Sequence, residues 1–217
     1  MTTTIAIVGS KGGVTKTTIA RALCVAYAGA GWNTLGADFD VGLTKLIKWV
    51  RKRIEGSIEP IFDAQVYGTP AQIKKKIAED VYDIVIMDAG AFVDRSVPEL
   101  AEMADIVVIP TSFSSDDLEE AAALANSLYQ RGISPEKITV VFSGVIDDEG
   151  EYLASKEYFS QTPYKIIEGY IPKTKSLSKA QDKGLSILEC VYKSPRLKAD
   201  QVIQGIINHV EYLTNKG

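Results

Sequence analysis

The segment GSKGGVTKTT at residues 9–18 constrains this chain most, because it separates two runs of different character. Before it, Ile5, Ala6, Ile7 and Val8 form an apolar run of strand type; after it, Ile19, Ala20, Leu23 and Ala26 recur at helical spacing. The order expected is strand, glycine-containing loop, helix. A loop that feeds a helix N-terminus presents unpaired N–H groups and roughly half a positive charge, which together make a cradle for anions.

Within that loop each residue type has a chemical use. Gly12 and Gly13 let backbone amides approach phosphate oxygens closely, Lys16 reaches toward β- and γ-phosphates, and Thr17 offers a hydroxyl to a divalent cation, with Thr18 adding another. The common pattern GxxxxGK[ST] fails, because Ser10 and Thr15 stand where it has glycines. The version KGGxxK[ST] fits, through Lys11, Gly12, Gly13, Lys16 and Thr17. This resembles the ParA/MinD family of deviant Walker A P-loop ATPases. The resemblance implies ATP and Mg²⁺ as cofactors, with Gly12, Gly13, Val14, Thr15, Lys16, Thr17 and Thr18 around the nucleotide. It also implies that Lys11 acts catalytically across a dimer interface, on the partner subunit's nucleotide.

The remaining composition narrows the classes. A length of 217 residues suits one domain, taken as 1–217, and 46% hydrophobic with 24% charged residues is ordinary for a globular chain. The net charge of −4 means that any DNA contact must come from a local patch. Cys24 and Cys190 are far apart, and the N-terminus lacks a basic n-region with a long apolar run, so a reducing cytoplasm is expected. No apolar stretch approaches the ~20 residues that span a bilayer. An iron–sulfur relative is not expected, since Cys24 falls inside the first helix. With a first strand starting at residue 3 or 4, no N-terminal DNA-binding extension is expected, and no transcriptional repression by the chain itself.

Along the chain, residues 17–31 read as an amphipathic helix and 34–38 as a second strand, with DFDVGL at 38–43 directly after it. Ligands of open α/β sheets sit outside the carboxyl ends of strands, so Asp38 and Asp40 arrive beside the loop. DFDVGL resembles the MinD form of the family's switch I; the resemblance implies that Asp40 orients the water attacking the γ-phosphate and that Asp38 supports Mg²⁺. A cationic amphipathic helix follows, with Lys45, Lys48, Arg51, Lys52 and Arg53; then a strand within 58–66 and a helix at 69–79. YDIVIMDAG at 82–90 is a buried strand ending in an acid, the form of a Walker B segment, in which Asp88 holds Mg²⁺ through water. Ala89, Gly90 and Ala91 depart from the family's usual DxPP and leave the shape of the next loop open. In this glycine-containing turn the chain resembles small plasmid partition ParA proteins of the ParF type.

Residues 104–110 form another buried strand. The helix after it has Ser114 or Ser115 as N-cap and Asp116, Asp117, Glu119 and Glu120 complementing its dipole. Residues 138–145 read as a strand, 152–159 as a helix and 164–171 as the last strand. Relatives carry Asn near Ser143 to hold adenine, and the Ile-Pro that follows the last strand implies that Pro172 flanks the base. Residues 194–213 place Val202, Ile203, Ile206, Ile207, Val210 and Leu213 on one stripe, read as a terminal helix docked on the sheet. A membrane-targeting helix would need a basic polar face, and this one has few cations. His209 is assigned no role.

Alternating strands and helices imply a three-layer α/β/α P-loop domain with a mostly parallel sheet. The resemblance implies an ATP-dependent dimerising switch that positions or segregates DNA, as in plasmid or chromosome partition. It further implies a homodimer with ATP that binds nonspecific DNA and so associates with the nucleoid, and a ParB-like centromere-binding partner that stimulates slow hydrolysis. Candidate DNA contacts are the helix of Lys45 to Arg53 and Lys193, Arg196 and Lys198. Alternatives are a MinD-like membrane-positioning ATPase, an ATP-dependent small-molecule ligase and a degenerate nucleotide-binding scaffold.

Overall fold

The computed structural model describes residues 1–9, 11, 13, 15–90 and 96–216. The chain runs β1 (Thr3–Ile7), α1 (Lys16–Gly29), β2 (Thr34–Asp38), α2 (Lys45–Glu55), β3 (Asp63–Val66), α3 (Pro70–Ala78) and β4 (Ile84–Asp88). It continues with α4 (Val97–Met103), β5 (Ile106–Thr111), α5 (Ser115–Gln130), β6 (Ile138–Val145), α6 (Glu149–Ser160), β7 (Lys165–Pro172), α7 (Lys175–Asp182) and α8 (Lys193–Thr214). Short 3₁₀ turns occupy Pro135–Lys137 and Ile187–Glu189.

The seven strands form one sheet in the order β3-β2-β4-β1-β5-β6-β7, and all pairings are parallel. A parallel sheet is covered on both faces, so its strands are apolar throughout and alternate residues enter different cores. Ile5 and Ile7 pack with Leu23 of α1, Trp49 of α2 and Ile203 of α8. Ala6 and Val8 pack with Ile73 of α3, Leu100 of α4, Leu128 of α5 and Phe159 of α6. The result is the three-layer α/β/α arrangement of a P-loop domain.

Local signals set the helix starts. Thr69 and Gln72 make a capping box before α3, with Pro70 in its first turn, and the side chains of Ser114 and Thr174 cap α5 and α7. Helix α4 was not anticipated, because its 7 residues are too few to show a period. Helix α8 buries Ala199, Val202, Ile203, Ile206 and Val210. Each buried Val or Ile contributes about 1.5–3 kcal/mol. Moving this face to a bilayer would forfeit that packing first.

Candidate functional site

Three strands end side by side at the loop. The register sets Ile7 of β1 opposite Asp88 of β4, and Asp88 opposite Asp38 of β2. The ladder continues one step further, with Ala89 N–H donating to Ile7 O (3.1 Å) and Phe39 N–H to Asp88 O (3.0 Å). Two carboxylates from distant parts of the sequence therefore stand at the mouth of the glycine loop, because parallel strands align their carboxyl ends.

A cleft of about 220 Å³ opens there, with Lys16, Thr17, Arg21, Asp40, Lys45 and Gly90 among its lining residues. A second cleft of about 170 Å³ adjoins it, walled by Thr18, Gly144, Pro172, Leu177 and Gln181. Gly13, Thr15 and Thr18 border both. A larger groove of about 640 Å³ runs between β7 and α8, but it contains none of the loop or strand-end residues. Chemistry, not volume, selects the site.

Lys16 is buried, and its ammonium donates to the carbonyls of Lys11 (2.7 Å) and Gly9 (3.2 Å), which closes the loop around it. Asp88 lies opposite and is 2% exposed. Burial pushes its carboxyl up to about 7, while the Thr17 hydroxyl, Lys16 and Arg21 pull it back. Its Oδ1 is buried without a hydrogen-bond partner. A buried charge with an unsatisfied oxygen is costly unless a cation meets it. The residues therefore fit a hard divalent ion held by Asp88 and Thr17. Among the described residues no group of three or more His, Cys, Asp or Glu could cage a metal by itself. Such an ion would need phosphate and water to complete its shell, as magnesium usually does.

Asp38 is fully buried but directed elsewhere. Its Oδ1 accepts the Asp40 N–H (2.9 Å), and its Oδ2 accepts the N–H groups of Leu46 (3.0 Å) and Ile47 (3.3 Å) at the start of α2. Burial raises its pKa above the usual carboxylate value, and these bonds oppose that rise. Asp38 thus fixes the turn carrying Asp40 and anchors α2. Asp40 lines the cleft, with its Oδ1 accepting the Leu43 N–H at 3.0 Å. Gly90 is needed beside it, since a Cβ there would lie 3.0 Å from the Asp40 Cα.

Lys11 stands on the rim. Its ammonium pairs with Glu120 Oε1 (2.8 Å) and Asp117 Oδ1 (3.2 Å) on α5, and these two carboxylates hold it above its usual range. Ser112 donates to Asp117 Oδ2 at 2.5 Å, keeping that acid low and in place. Pro172 walls the second cleft. Gly12 and Val14 lie outside the described residues.

Sequence reasoning missed Arg21 and Gln181. Arg21 donates to Lys45 O (2.8 Å) and to Gln181 Oε1 (3.0 Å), so one guanidinium joins α1, α2 and α7 and touches both clefts through its partners. A signal was present: Arg21 follows Thr17 by four residues, on the same helical face. The cationic helix also needs correction. Lys45, Lys48, Arg51 and Lys52 are exposed, but Arg53 is 1% exposed and bonds Glu189 (2.6 and 3.0 Å) and the carbonyls of Gly184 and Pro60. It is withdrawn as a DNA contact, as is Lys198, which is held by Asp147 and Tyr170. His209 has a partner after all, the Glu136 carbonyl at 2.8 Å.

Fold and site together define a P-loop nucleotide-binding protein. The family model described as the CobQ/CobB/MinD/ParA nucleotide binding domain matches residues 5–187, and the chain belongs to that family. It is 24% identical, over 84% of its length and 80% of the relative's, to the septum site-determining protein MinD of Thermotoga maritima. Among solved structures, the MinD protein of Pyrococcus horikoshii OT3 complexed with Mg-ADP aligns with a TM-score of 0.73 at 16% identity, over 95% of this chain and 96% of that one. A putative plasmid partition protein of Borrelia burgdorferi B31 bound to AMPPNP aligns with a TM-score of 0.70 at 14% identity, over 96% and 99%. At such identities these two likenesses describe the fold.

Proposed function

We propose that the chain is a Mg²⁺-dependent ATPase whose nucleotide state switches dimerisation, and that the ATP dimer positions or segregates DNA in the cytoplasm, with a ParB-like partner stimulating hydrolysis. The observation that carries this reading is Lys11. It is paired with Asp117 and Glu120 on α5, is 41% exposed and lines neither cleft, which supports a role toward a second subunit.

In this reading Lys16 and the N–H groups opening α1 bind the phosphates. Thr17 and Asp88 hold magnesium, which supplies positive charge to the phosphate oxygens. Asp40 orients the attacking water, and Asp38 keeps Asp40 in place. Positioning and charge stabilisation supply most of the catalysis in phosphoryl transfer. Burial of the base falls to the cleft of Pro172, Leu177 and Gln181.

The exposed cations of α2 support a DNA surface. They are continued by Lys175 and Lys179 on α7, which lies next to α2 through the Lys52 bond to Asp182 O (3.2 Å). The test is the solution mass of the Asp40→Ala protein with ADP and with ATP–Mg²⁺, each alone, with duplex DNA and with anionic liposomes. An ATP-only dimer that binds DNA in a salt-sensitive way is the expected result. Binding to liposomes instead would favour a MinD-like membrane role. A monomer indifferent to nucleotide would overturn the switch.

A further inference from the structure

We propose that Thr15 is a positioning residue, which through a hydroxyl bridge to Ser143 fixes the start of α1, beside the phosphate site, against β6 before any nucleotide arrives. The inference rests on the nucleotide reading above and concerns a position where the ordinary P-loop pattern has glycine.

Thr15 has φ 61°, in the left-handed region, immediately before α1. For a β-branched residue that conformation is an outlier, and it persists only where the surroundings over-determine it. Two contacts do so here. The Thr15 hydroxyl donates to Ser143 Oγ at 2.6 Å. Its methyl fits against Gly144, where a Cβ would come within 2.7 Å of Thr15 Cγ2. Gly144 has φ 73°, so glycine is required there twice over, for its backbone and for the space it leaves.

The bridge is long-range. Ser143 lies on β6, and the sheet order places β5 between β6 and β1, whose end feeds the loop. The Thr15 carbonyl also accepts the Ile19 N–H at 3.1 Å, so the same residue starts α1. The end of the loop, the first turn of α1 and the end of β6 therefore move as one unit. Because Thr15 borders both clefts, the unit spans the places assigned to phosphate and base. A cradle ordered in advance loses less freedom when the ligand binds, which raises affinity without a new contact to the ligand. Ser143, engaged by Thr15, does here a different task from the asparagine that contacts the base in relatives.

The opposite account is that Thr15 is a damaged glycine position. The two differ in what substitutions do to binding. The experiment measures affinity of the chain for a fluorescent ATP analogue with Mg²⁺, and the melting temperature without nucleotide. The variants are Thr15→Val, Thr15→Ser, Thr15→Gly, Ser143→Ala and the Thr15→Val/Ser143→Ala double. Loss of one hydroxyl bond predicts about 2- to 10-fold weaker binding for Thr15→Val and for Ser143→Ala. The double variant should be no weaker than either single, Thr15→Ser should stay within about twofold of wild type, and Thr15→Gly should weaken binding. Ser143→Ala carries the test if changes at Thr15 prevent folding. Wild-type affinity in Ser143→Ala, additive losses in the double, or tighter binding by Thr15→Gly would overturn the proposal. A wild-type chain that binds no nucleotide overturns the ATPase reading and this inference with it; a wild type that binds while the variants match it overturns this inference alone.

Discussion

Lys11 Nζ lies 2.8 Å from Glu120 Oε1, which ties the outer lysine of the loop to the first turns of α5. With Asp117 it makes a clasp from two acids three residues apart, on one helical face. Exposed ion pairs add little stability. Lys11→Ala should therefore leave the melting temperature almost unchanged while abolishing ATP-dependent dimerisation and hydrolysis. The paired change Asp117→Asn/Glu120→Gln should raise the dimer fraction at a given ATP concentration. Light scattering beside thermal melts reads both; a large loss of melting temperature in Lys11→Ala would make the lysine structural.

Asp88 predicts a pH dependence. Its carboxyl rises from 3.8 to about 7 through burial, so the folded state holds a proton that the unfolded chain has released. Stability of the nucleotide-free protein therefore falls as pH rises through that window, by an amount of order 4 kcal/mol for this group. Asp88→Asn removes the term. Its denaturation midpoint should decline less than that of wild type between pH about 4.5 and about 8, and Mg²⁺-dependent nucleotide binding should be lost. Parallel curves for the two proteins would contradict the assignment.

Arg53 and Glu189 form a pair in which the arginine is shut off from water. Removing one partner of a buried pair typically costs about 3–5 kcal/mol. Arg53→Ala should approach that loss in urea denaturation, since it also strands the carbonyls of Gly184 and Pro60. A cost below about 1 kcal/mol would mean that the pair contributes little.

Lys48 and Arg51 should behave in the opposite way. Each is exposed on α2, and its change to alanine should move stability by no more than about 0.5 kcal/mol. If DNA is the track, each lost phosphate contact lowers the slope of log affinity against log salt by about 0.9. Titrations of DNA at several salt concentrations with the ATP-bound dimer decide it; an unchanged slope in both variants would move the DNA surface elsewhere.

The fold was legible because the apolar strands are continuous and the helices between them are periodic. Strands β2 and β6 have the bounds that their residues suggest, and the order of elements is that of a parallel α/β sheet. Helix α4 was hidden by its shortness. Of the site, the loop was visible in its residue pattern, and the carboxylates at 38, 40 and 88 in their places at strand ends and in the family resemblance. What the spacing did not carry was direction. Asp38 turns toward backbone N–H groups, Lys11 toward α5, and Arg53 inward, and those choices depend on packing between elements far apart in sequence. The acids of α5 were read as complements of a helix dipole, a local explanation that fits any helix start and so concealed their long-range partner.

Trp49 has two guanidinium groups over its ring, Arg21 at 5.2 Å and Arg53 at 5.1 Å, and is 2% exposed. Arg53 is fixed by Glu189, whereas Arg21 also lines the cleft. The only other tryptophan, Trp32, is 39% exposed. The chain thus carries one buried and one more exposed indole, and the buried one touches a guanidinium that borders the cleft. A polyphosphate that draws Arg21 from the Trp49 ring should change the emission of the buried indole, so that its arrival can be timed in a stopped-flow cell with no label attached.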